Sequence, residues 1–99
     1  MSKILKFGFQ GEQGLEDVEA DLALAIFAAE CLYGRPRVRL ETRYLVGPGG
    51  QSCVMEVSGI AGESVAQVFA GLAAARFGEE AVSISHYEER QLEVLSNGA

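Results

Sequence analysis

The chain is poor in the residues on which metal and redox chemistry depend, with one histidine and two cysteines among 99 residues. Cys31, Cys53 and His86 fall in no CxxC or Cys/His spacing, so they do not make a zinc set. The two cysteines read as buried thiols rather than as a disulfide. Long apolar runs are missing too. The densest stretch, Leu22 to Tyr33, contains Glu30 and is too short to span a bilayer. The start, Met-Ser-Lys followed by alternation, carries no apolar signal segment, and the expectation is a cytoplasmic protein with no membrane partner. Basic residues are outnumbered eight to fourteen, for a net charge of −6, which disfavours non-specific binding to nucleic acid or anionic membranes. No internal period or low-complexity tract is present.

What is there suits one compact domain. Hydrophobic residues make up 48% and charged residues 22%, an ordinary globular balance, and the length allows a single core. Lys3 to Gln10 alternates, with Leu5, Phe7 and Phe9 on one side, and reads as a half-buried strand. Gly11 and Gly14 mark a turn. A helix is predicted from about Leu15 to Tyr33, with a core stripe of Leu15, Val18, Leu22, Ile26, Ala29 and Tyr33, stopped by Gly34 and Arg35-Pro36. Arg37 to Val46 alternates again and is predicted as a strand. The GPGG turn at Gly47 to Gly50 joins it to a strand over Ser52 to Ser58 as a hairpin. A second helix is predicted from about Glu63 to Phe77, packing through Val65, Val68, Phe69 and Leu72, with a last strand from Ala81 to Tyr87. Residues 88–99 form a polar tail, left as an edge strand, a partner contact or a frayed end.

Strand-helix-strand repeated twice predicts an α+β fold of ferredoxin-like βαββαβ type, a single domain over 1–99 with its core in 3–87. Its four-stranded antiparallel sheet carries two helices on one face, over Leu5, Phe7, Phe9, Tyr44, Met55, Val57 and Ile84. The other face stays open.

The glycines at Gly8, Gly11 and Gly14 are spaced G-x-x-G-x-x-G, which is neither a dinucleotide fingerprint nor a Walker loop. Glu12, Glu16 and Asp17 occupy the positive end of the helix dipole, where a phosphate would have to sit. The turn is not a nucleotide site. On the last strand His86 shares a side with Val82 and Ile84, while Ser83, Ser85 and Tyr87 point the other way, so no catalytic group converges there. Cys31, mid-helix among Ala28, Ala29 and Leu32, has no base beside it and reads as inert packing. No catalytic, metal-binding or cofactor-binding residue is assigned.

Two surfaces carry more signal. Arg35, Arg37, Arg39 and Arg43 hold half of the eight basic residues within one short segment. Arg37, Arg39 and Arg43, with Lys6 on a neighbouring strand, make a candidate anion or partner surface on the open sheet face. The plain alternative is cross-strand pairing with Glu41 and Glu56, or charged protection of an edge strand. RNA recognition on that face would need aromatic residues, and the corresponding positions are Gly8, Val54 and Glu56. The first helix also carries a second apolar stripe, Leu24, Phe27 and Cys31, flanked by Ala20 and Ala28. A contiguous apolar patch on the back of a surface helix marks a candidate subunit or partner interface.

The element order, the length and the glycine-rich connections over Lys3 to Tyr87 resemble the ACT and RAM ligand-sensing domains and, more loosely, the small dimeric α+β-barrel proteins. The resemblance implies a dimer whose glycine turn after the first strand, here Gly11 and Gly14, lies near an effector site. No ligand-binding residue is carried over from it. The expected function is a non-enzymatic regulatory or accessory binding module that self-associates and contacts a protein or small ligand. One alternative is an acidic inhibitor or decoy whose Glu16, Asp17, Glu19 and Asp21 present carboxylates to a basic partner. Another is a small dimeric α+β-barrel enzyme using His86 and Tyr87.

Overall fold

A computed structural model describes residues 2–11 and 14–87, with the side chain of Tyr87 outside the described set. In order come β1 (Ser2–Phe9), α1 (Leu15–Tyr33), α2 (Arg35–Glu41), β2 (Thr42–Val46), β3 (Ser52–Ser58), α3 (Gly59–Phe77) and β4 (Val82–Tyr87). The strands form one antiparallel sheet in the order β2-β3-β1-β4. The α+β class and the four-stranded antiparallel sheet are therefore as the sequence implies. Among the described residues there are three α-helices rather than two, and the polar tail lies outside the described residues.

The extra helix corrects the reading of Arg37 as a strand start. Gly34 ends α1 at φ 89°, and the chain re-enters a helix at once, with Pro36 in the first turn where no hydrogen bond is lost. In so short a segment, alternation of arginine with apolar residues fits a single helical turn as well as a strand. Tertiary packing decides it: Val38 is buried in the core, whereas Leu40, which strand alternation would put on the same side, is exposed.

Period-two register then sorts the sheet's faces. Lys3, Leu5, Phe7 and Phe9 align with Val57, Met55 and Cys53 on β3 and with His86, Ile84 and Val82 on β4. Phe7, Phe9, Cys53, Met55 and Val57 are buried in one cluster with Val18, Leu22, Ala25 and Ala29 of α1 and Val65, Phe69 and Ala73 of α3. Phe69 sits edge-on to Phe7 at 5.0 Å and to Phe9 at 6.1 Å between ring centroids, joining helix to sheet at the centre. Tyr44 and Ile84, expected under the helices, lie on the two edge strands and remain about half exposed.

Close approaches pin the helix starts. The Pro48–Gly50 turn presses onto the beginning of α1, where a Cβ on Gly50 would stand 2.7 Å from the Leu15 Cα, and φ there is 73°. Helix α3 begins at Gly59, earlier than the expected Glu63, although the preceding Ser58 makes no side-chain cap. Its free N–H groups are satisfied from a distance: Ala61 and Gly62 donate to Glu41 Oε1 at 2.9 and 3.3 Å.

Candidate functional site

Four places were marked by the sequence, and the fold separates them. The arginine strip does not exist as a strand face. Arg37 and Arg39 project from α2, and Arg43 alone lies on the open face of the sheet, in register with Glu56. Arg37 donates through Nε to Glu41 Oε2 at 2.9 Å and stacks over the Tyr33 ring at 5.7 Å. Its guanidinium holds the Glu41 carboxyl below the usual carboxylate range, helped by the N–H groups of Gly62 and Ala61 and opposed by partial burial. Glu41 thus ties α2 to the start of α3. Arg37 is a brace in the fold, whereas Arg39 and Arg43 are exposed and make no ion pair among the described residues.

Lys6 shares that open face with Arg43 but lies apart from it, between Val54 and Ser85 in the register. Around it, Gly8, Gln10, Gln51, Ser52, Ser83 and Ser85 line a shallow trough of about 470 Å³. Its chemistry is one ammonium among hydroxyls and amides, with no carboxylate among the described lining residues. Arg43 opens instead on a second depression, shared with Glu41 and Glu56. The structure does not bring Lys6 and the three arginines into one site.

His86 is in register with Leu5 on the helix-bearing side, with Val82 and Ile84. It borders a depression of about 300 Å³ with Lys3, Glu63 and Gln67, in which Lys3 Nζ pairs with Glu63 Oε1 at 2.5 Å. Ser83 and Ser85 lie on the other face, so they do not meet the imidazole. Of the glycine turn, Gly11 and Gly14 are described and Glu12 lies outside the described residues. Gly14 precedes α1 without a side-chain cap. Among the described residues no three His, Cys, Asp or Glu side chains gather into a metal-binding group, and no helix is long and apolar enough to cross a membrane.

The back of α1 is an apolar stripe at the surface. Phe27 is 63% and Leu24 53% exposed, with Cys31, Ala20 and Ala23 exposed beside them. These positions lie opposite the buried stripe of Val18, Leu22, Ala25 and Ala29, as the period of 3.6 requires. The expectation of two buried thiols holds for Cys53 alone. Burial pushes the Cys53 thiol up to about 11, while Cys31 is free and exposed, because its helical position points away from the core.

One residue changes role outright. Asp21, counted with the surface carboxylates, is only 2% exposed and accepts both arms of Arg76, Nε to Oδ2 at 2.9 Å and Nη2 to Oδ1 at 2.9 Å. The fork raises the Arg76 pKa and clamps α1 to α3. Arg76 Nη1 also reaches Asp17 at 3.4 Å, leaving Glu16 and Glu19 as the outward carboxylates of that helix turn. A clue was available: Asp21 stands three residues after Val18 and four before Ala25, inside the core stripe. The capping by Glu41 had no local signal. Compared with known proteins, the chain matches no family model and no curated protein.

Proposed function

We propose that this chain is a non-enzymatic regulatory or accessory binding module, with a ferredoxin-like arrangement akin to the ACT and RAM domains, that self-associates and contacts a protein or small ligand. The observation that supports it most is the apolar back of α1, where Leu24 and Phe27 stand in solvent on a helix whose opposite face is fully packed. Burying such a face against a partner removes apolar area from water, whereas leaving it bare gains nothing for the isolated fold. The Lys6 trough offers a second surface, suited to an anionic or hydroxylated ligand, on the face that carries no helix among the described residues.

The experiment is sedimentation or light scattering over a range of protein concentrations, with Phe27→Glu beside the unaltered chain. At 63% exposure, the burial still open to each Phe27 is worth roughly 1.5–2 kcal/mol. Two copies losing it should weaken a symmetric dimer by about two to three powers of ten in Kd. A chain that stays monomeric at every accessible concentration refutes self-association.

A further inference from the structure

The exposed residues of α1 are spaced as a helix-pairing seam. Ala20, Leu24, Phe27 and Cys31 follow one another at intervals of four, three and four, the alternation that keeps one stripe facing a neighbouring helix. Ala23 and Ala28 flank the seam and are small enough to let a second backbone come close. The charges have a direction. Helix α1 contains no lysine or arginine, and Glu16, Asp17 and Glu19 gather in its first turns. Just beyond its other end, α2 carries Arg35 and Arg39, both exposed.

We propose that two copies of this chain pack α1 against α1 antiparallel, about a two-fold axis between Leu24 and Phe27. This deepens the self-association reading and rests on it. Leu24 of each copy then meets the partner's Phe27, and Ala20 meets the partner's Cys31, so large faces large across the axis and small faces small at the ends. The acidic start of each α1 falls beside the end at which the other copy carries its arginines, and the helix dipoles run head to tail. Parallel packing would instead lay the two acidic starts side by side, with like charges opposed and the dipoles aligned. The contact is isologous and closes after two copies, because the same seam is used by both.

Cysteine chemistry tests the register directly. In the antiparallel pair the two Cys31 side chains stand about 16 Å apart along the helix axes, eleven residues at ~1.5 Å each, too far for a disulfide. Cys53 is buried and stays out of the reaction. The full-length chain and its Ala20→Cys variant are oxidised with diamide and run on non-reducing gels, and the reduced samples are sedimented in parallel. Ala20 is exposed, so the variant keeps its core. The expected result is a covalent dimer from Ala20→Cys forming at least tenfold faster than from the unaltered chain. Adding Cys31→Ser to the variant should abolish it, since the introduced thiol pairs only with the partner's Cys31. An unaltered chain that cross-links as fast as the variant overturns the antiparallel register in favour of parallel packing. Dimers in sedimentation without cross-linking in Ala20→Cys also overturn it, placing the contact on another face while self-association stands. A monomer in sedimentation overturns both.

Discussion

Alanine in place of Gly62 should make the protein easier to unfold, whereas alanine at Gly71, later in the same helix, should stabilise it. Both glycines sit inside α3, where exchange for alanine favours the folded state by about 0.5–1 kcal/mol through the entropy of the unfolded chain. At Gly71 an added Cβ meets nothing within 4 Å, so that gain stands alone. At Gly62 the Cβ would run into the main-chain carbonyl of Glu41 and come 3.1 Å from the Val57 Cβ. Neither neighbour can turn aside, since one is backbone at the end of α2 and the other belongs to a fully buried strand residue. Overpacking of this kind costs about 1–3 kcal/mol, and a rigid backbone obstacle belongs at the upper end. About 3 less about 1 leaves roughly 2 kcal/mol of destabilisation. For a domain of this length each kcal/mol moves Tm by about 4–8 °C. Thermal melts followed by far-ultraviolet circular dichroism should then fall by roughly 8–16 °C for Gly62→Ala and rise by roughly 2–8 °C for Gly71→Ala. A Gly62→Ala protein melting at or above the unaltered chain would refute the close packing of α3 on the end of α2.

Thiol titration should find one reactive cysteine in the native state, Cys31, and a second only after unfolding, because burial holds the Cys53 thiol up at about 11. Two fast-reacting thiols at neutral pH would contradict the buried placement of Cys53. Glu41→Gln should lower stability and flatten its loss in acid. The Glu41 carboxyl lies below its ordinary value of 4.5 in the fold, so its contribution is present above that value and disappears as pH falls through the depressed one. Denaturant midpoints over an acidic pH series test this, and an unchanged acid slope in the variant would count against the Arg37–Glu41–α3 brace.

The sheet and the two long helices were legible because their signals are local and periodic. Leu5, Phe7 and Phe9 alternate, Val18, Leu22 and Ala29 recur at helical spacing, and Gly34 and Gly78 follow the helix ends. The apolar back of α1 was visible for the same reason, since a period of 3.6 assigns each side chain a direction before any partner is known. The arginine segment misled because Arg37, Val38, Arg39 and Leu40 satisfy two periods at once, and only the burial of Val38 in the core selects the helix. Asp21 could be placed on the core side of its helix, but its partner Arg76 lies far along the chain.

By itself, then, the sequence determined which residues alternate, which recur at helical spacing and which side of α1 carries a second apolar stripe. These follow from backbone geometry within a few residues. The tertiary structure alone decided that Asp21 is a buried clamp, that Glu41 caps a helix begun by Gly59, and that Arg37 and Arg39 leave the sheet for α2 while Lys6 and Arg43 line separate depressions of its open face. Each of those depends on two segments distant in sequence meeting in space, and the energy of such a meeting is written in neither segment alone.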